Sequence, residues 1–149
     1  MKRAIALGCW LLIMLATCLV SAQPAFASSD YISPAPADAE VYLISPRDGE
    51  SLSSPFAVKF GLKEMGVAPS GVEKPGTGHH HLLVDLDELP ALDESLPATD
   101  HIKHFGGGQT ETMLTLPPGE HTLQLLLANY VHVPHEPPVI SDPITITVK

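Results

Sequence analysis

Leu116-Pro117-Pro118-Gly119-Glu120-His121-Thr122-Leu123-Gln124-Leu125-Leu126-Leu127 reads as a tight turn running into a β-strand. Pro117-Pro118-Gly119 breaks whatever precedes it, and Leu123, Leu125 and Leu127 then recur at steps of two, the period of a strand. A polar ring at the strand's start, followed by inward apolar residues, resembles the corner between strands E and F of immunoglobulin-like sandwiches. His121 takes the place of that corner ring. Its expected role is architectural, bonded to nearby backbone.

Working outward, the rest of the domain has the same character. Residues 41–45 form a short apolar run closed by Pro46-Arg47-Asp48-Gly49. Over 56–62, Phe56, Val58, Phe60 and Leu62 alternate against Lys59. In 80–86, His80, Leu82, Val84 and Leu86 share one face, with His81, Leu83 and Asp85 on the other. Strands are also expected over 110–116, 121–128 and 143–148, with long loops over 63–78 and 87–109. About seven short strands with Pro/Gly punctuation and no helical period predict an all-β, immunoglobulin-like sandwich.

Ahead of the domain, Lys2 and Arg3 precede an uncharged apolar run from Ala4 to Val20, and Ala25-Phe26-Ala27 supplies a small-x-small cleavage pattern. Residues 1–27 are read as a signal peptide, with Ala22 as the second cleavage choice. The apolar run is short for a retained anchor, so no stable membrane insertion is expected after cleavage. Cys18 sits in a poor lipoprotein box because Thr17 stands where Gly or Ala is usual. The expected location is periplasmic or secreted. Residues 28–40, rich in Ser, Ala and Pro, are read as a flexible lead-in, and 41–149 as the folded domain.

Cleavage would remove Cys9, Cys18 and Trp10, leaving neither disulfides nor thiolate ligands. It would also leave six Lys and Arg against 17 Asp and Glu, a net charge of −11. So acidic a chain is not a nucleic-acid binder, whose affinity rests on neutralising phosphates. The acidic loop residues around Asp85, Asp87 and Glu88 are read as solvated, since they lack the spacing of a calcium loop.

The blocks VYLISPRDGE, VKFGLKEMGVAPSGVEKPGTGHHHLLVD, HFGGGQTET, LPPGEHTLQLLLAN and HVPHEPPVISDPITITV, in that order, resemble the DUF4399 family of exported bacterial proteins. The resemblance runs from about Val41 to Lys149. It implies a shared set of histidine blocks and assigns them no catalytic role.

Seven of the eight histidines fall in three short stretches: His79-His80-His81, His101 with His104, and His132 with His135. In a sandwich the start of strand C lies beside the end of strand F, and strand E begins at the same pole. All three blocks are therefore expected to converge there, with His121 at the other pole. His79 and His81, two apart on an extended strand, point to one side; His80 faces the core. The candidate metal ligands are His79, His81, His101, His104, His132 and His135. An all-imidazole set suits Cu(II) or Zn(II), with binding expected to weaken below about pH 6 as imidazoles protonate. The competing structural reading has these rings packed on strands and prolines and bonded to backbone.

Two other functional classes bear on the same residues. An interaction module would dock on an envelope protein or glycan, with Tyr130 and Phe105 as apolar contacts and the histidines as hydrogen-bonding residues. An enzyme finds less support, because neither Gly-x-Ser-x-Gly nor His-Glu-x-x-His is present. The favoured reading is a non-enzymatic module binding a metal ion.

Overall fold

The computed structural model describes residues 31–149 and contains nine strands and no α-helix among them. The leader assigned to residues 1–27 lies outside the described residues. The strands are β1 (Glu40–Ser45), β2 (Ser51–Leu52), β3 (Phe56–Lys63), β4 (Gly66–Val67), β5 (Thr77–Val84), β6 (Ile102–His104), β7 (Glu111–Leu114), β8 (Gly119–Ala128) and β9 (Ile144–Val148). One sheet has the order β1-β3-β7. The other runs β2-β9-β8-β5-β4, and β6 also pairs with β5. This is the A-B-E and G-F-C division of an immunoglobulin-like sandwich, as expected from the strand spacing.

Alternation along the strands fills the space between the sheets. Phe56, Val58 and Phe60 of β3 meet Leu82 and Val84 of β5 and Leu123, Leu125 and Leu127 of β8, with Val41, Ile146 and Val148 completing the core. Here β8 departs from simple one-sided alternation. Leu126 and Ala128 point out of the sandwich and are also buried, forming a second, smaller core with Leu83, Leu96 and Ile102. The loops over 87–101 and 129–140 cover this outer face. Both faces of the sheet's centre are therefore sealed, which explains the nearly unbroken apolar run from Leu123 to Ala128.

The corner read from the sequence is present. The ring of His121 donates from Nε2 to the Pro117 carbonyl at 2.9 Å. Its Nδ1 also bonds Asp85 Oδ2 at 2.7 Å, and Asp85 Oδ1 accepts from the Thr122 amide at 2.8 Å. Asp85, read from the sequence as a solvated loop acid, ties the end of β5 to the start of β8. Both ring nitrogens of His121 face acceptors, which favours the doubly protonated ring. Its pKa is accordingly raised, chiefly by the Asp85 hydrogen bond.

Residues 31–36 pack on the domain where the sequence suggested a flexible lead-in. Pro34 bridges Glu136, with the Ala35 amide donating to the Glu136 carbonyl and the Glu136 amide to that of Ser33, both at 3.0 Å. These are backbone contacts, to which side-chain periodicity is blind.

Candidate metal centre

β5 positions the first two ligands. His79 and His81 are two residues apart on its outward face, opposite Ala128 and Leu126 of β8, and they are 0% and 1% exposed. His81 stands directly across from His104 on β6, so an antiparallel pairing brings the third ring alongside. The ring centroids lie 4.8 Å apart for His79 and His81, 4.9 Å for His79 and His104, and 5.1 Å for His81 and His104. Ligand nitrogens of these three residues all lie within 4.8 Å of one another, so they could hold a metal ion.

His132 approaches from above, its centroid 4.4 Å from that of His104. It sits in a turn built on Asn129, which is 1% exposed. Asn129 Oδ1 accepts from the amides of Val131 and Val133 at 3.0 and 3.1 Å, and its carbonyl accepts from the His132 amide at 2.9 Å. Its Nδ2 donates to the Tyr31 carbonyl at 2.6 Å and to Ser33 Oγ at 3.0 Å. The turn holds His132 at φ +69°, in the left-handed region that non-glycine residues enter at a cost.

The nitrogen spacing is the informative quantity. His104 Nε2 lies 3.1 Å from His79 Nε2 and 3.0 Å from His132 Nε2. A neutral imidazole nitrogen carries either one hydrogen or one lone pair. His104 Nε2 cannot donate to both neighbours, and as an acceptor it must split one lone pair between them. A cation at the centre gives each lone pair its own bond. Tetrahedral coordination at 2.0–2.1 Å separates ligand nitrogens by about 3.3 Å, close to both observed distances. His81 offers its own ligand nitrogen within 4.8 Å of those of His79 and His104.

Electrostatics keep these lone pairs free of protons. The pKa of His79 is lowered to about 4, first by burial and then by its imidazole neighbours, above all His104. His81 falls to about 3 for the same reasons, desolvation again leading. That of His104 is also lowered, by burial and by His132. Nδ1 of His79 and of His81 is buried with no hydrogen-bond partner. The His79 carbonyl eases the cost at His81 without reaching hydrogen-bond geometry. A buried polar atom left unpaired costs about 1–3 kcal/mol, so this face is not arranged for stability alone.

Of the six candidate ligands, four come together and two do not. His101 is three residues from His104, and an odd step along a strand reverses the side. Its Nδ1 bonds the Val84 carbonyl at 2.8 Å, and its own carbonyl accepts from the Val84 amide, three residues down β5 from His81. His135 is buried between the start of β5 and the end of β8, with Nε2 3.2 Å from the Thr77 carbonyl and Nδ1 3.5 Å from that of Leu127. Gly78 makes room for it, since a Cβ there would stand 2.8 Å from His135 Cε1. His80 turns inward as expected and packs on Phe60 at 5.1 Å. Phe105, considered as a surface contact, is instead buried in the core, edge-on to Phe60.

The sequence signal missed one part of the site. Gly106 has no side chain where a Cβ would lie 2.4 Å from His104 Cε1 and 2.6 Å from Nε2. The bare backbone is the slot that receives the His104 ring. The Gly106-Gly107-Gly108 run was the available clue. The site also lies on the outer face of the six-stranded sheet, roofed by the 129–135 segment, rather than among loop tips at the pole.

Fold and site together define the class of protein: an all-β, immunoglobulin-like sandwich carrying a histidine cluster on one sheet face. More particularly, the chain belongs to the family described as a domain of unknown function (DUF4399), which matches residues 58–149. The matched region includes all eight histidines. No curated protein and no solved structure is significantly similar to the chain.

Proposed function

We propose that this is an exported, non-enzymatic module that binds one divalent transition-metal ion, Cu(II) or Zn(II), through His79, His81 and His104, with His132 as fourth donor. The observation that carries this reading is the line of three Nε2 atoms at 3.0–3.1 Å, which mutual hydrogen bonds cannot satisfy. Nitrogen donors without sulfur suit these two ions, with copper(II) the tighter by the usual order of affinities. The antiparallel pair β5–β6 fixes the floor of the site, and the Asn129 turn brings in the last ligand from a separate loop. Export follows from the leader pattern of residues 1–27, and it would place the site where metal ions arrive from outside.

Isothermal titration of the mature protein with copper(II) and zinc(II) tests the reading. Binding at one equivalent, tighter than about 10 μM, is expected, with that affinity lost in the His79→Ala/His81→Ala double variant. Weaker binding, or unchanged affinity in the double variant, overturns it. Because burial holds His79 and His81 near pKa 4 and 3, protons compete at these two ligands only in stronger acid than the free-imidazole value of about 6.5 implies. Measured metal affinity at pH 5.5 is therefore expected to exceed that of a His-x-His peptide far more than at pH 7.5.

A further inference from the structure

We propose that the ion held by this site binds a small monovalent anion as an additional ligand, entering on the His104–His132 side. This rests on the metal reading and concerns the charge that such an ion would carry. All four donors are neutral imidazoles. Among the described residues, the one histidine–carboxylate contact within 4 Å is that of His121 with Asp85, at the other end of β5. The rings of the cluster lie against one another, and among the described residues none has a carboxylate within 4 Å of a ring nitrogen.

A divalent ion among these rings therefore keeps its full double charge, and half of its shell is dry. His79 and His81 form a floor that is 0% and 1% exposed. Placing uncompensated charge in such surroundings costs several kcal/mol per ion even after relaxation. A carboxylate in the first or second shell is one way a metal site offsets such charge. Among the described residues no carboxylate within 4 Å of these rings supplies the balancing charge, and an anion from solution would. It can reach the ion only where the wall is open, and that is the rim: His104 is exposed and His132 half-buried. Copper(II) and zinc(II) both accept a fifth ligand without losing the other four. The chemical class is a small singly charged anion with a donor lone pair, such as a halide, a pseudohalide or a short carboxylate.

Thermodynamic reciprocity gives the proposal its readout, because an anion that prefers the loaded site must tighten metal binding by the same factor. The mature protein with one equivalent of copper(II) is titrated with sodium azide, perchlorate holding the ionic strength constant. The expected result is a saturable azide-to-copper charge-transfer absorption. Copper affinity, measured against a competing chelator, should be at least about tenfold tighter in chloride than in perchlorate, equivalent to about 1.4 kcal/mol. His132→Glu is the discriminating variant. It exchanges the fourth, neutral donor for a charged one, so copper affinity itself will change. The readout is the ratio between salts: the chloride-over-perchlorate advantage should collapse to less than about twofold.

Copper bound with a four-nitrogen paramagnetic resonance pattern, yet indifferent to azide and to chloride, overturns the anion proposal and leaves the metal reading standing. An anion effect of equal size in His132→Glu also overturns it, since charge balance would then not be the cause. Absence of copper binding in every salt sinks both readings together.

Discussion

Two residues separate the demands of the core from those of the site. His80, on the inward side of β5, is fully buried with neither ring nitrogen hydrogen-bonded, and its pKa falls to about 4 through burial, only partly offset by the Gln109 backbone. An unpaired buried polar group costs about 1–3 kcal/mol, and an apolar group of similar shape removes the cost. His80→Leu, close in volume, should therefore stabilise the metal-free protein by about that amount in urea unfolding, with its metal affinity unchanged. Gly106 shows the opposite economy. An added methyl would meet the His104 ring first, the movable end of a side chain, and would press on Ser70 Cβ at 3.2 Å only by a few tenths of an ångström. Gly106→Ala should thus leave the unfolding free energy within about 0.5 kcal/mol of the parent while weakening metal binding at least about tenfold. Equal losses in stability and affinity would mean that the glycine serves packing instead.

At the scale of elements, the long alternating strands were legible and the short ones were not. The alternating stretches read over 56–62 and 121–128 correspond to β3 and β8, because period-two burial leaves a pattern in side chains. β4 and β6 have two and three residues, too few to show a period, and they hid inside segments read as loops. β6 nevertheless supplies His104, so the third ligand came from a strand that periodicity could not find. The convergence of three blocks was legible from topology, since strands C and F must pair. Which histidine of the second and third blocks joins was harder to read. His101 drops out by strand parity, and His135 by a buried place between two carbonyls that only the fold creates.

The Asn129 turn is the element most exposed to a single change. Its side-chain amide joins four groups: two amides of the His132 turn, and the Tyr31 carbonyl and Ser33 hydroxyl of the lead-in. Asn129→Ala leaves buried backbone groups unpaired, and a loss of about 2 kcal/mol or more is expected. Because one residue holds both segments, the variant should also become cleavable by protease near residues 31–36 and lose the fourth metal donor. Cleavage without a change in metal affinity would show that the His132 turn holds its shape unaided.

For the whole molecule, histidines with opposite shifts decide how stability responds to pH. His79, His80, His81, His104 and His135 all have lowered pKa values, burial being the first cause in each. For these the unfolded chain, titrating near 6.5, binds protons that the folded chain refuses, so stability rises with pH across that window. Their contribution is complete above about pH 6.5 and is lost as pH falls through the folded values, about 4 for His79 and His80 and about 3 for His81. His121 runs the other way. Its raised pKa, set first by the Asp85 hydrogen bond, gives stability that is fully present below about pH 6.5 and is lost as pH rises through the folded value. Five groups oppose one, so urea unfolding of the metal-free protein should show a fall in stability from pH 7 to pH 4 in excess of any carboxylate effect. The His79→Gln/His81→Gln variant should flatten that fall, and His121→Gln should steepen it by removing the opposing group. Bound metal should steepen the dependence as well, because it adds affinity for the deprotonated folded state alone. If the slope between pH 7 and 4 is the same in parent and His79→Gln/His81→Gln proteins, the floor of the site is open to water, and the desolvation that keeps its lone pairs free does not operate.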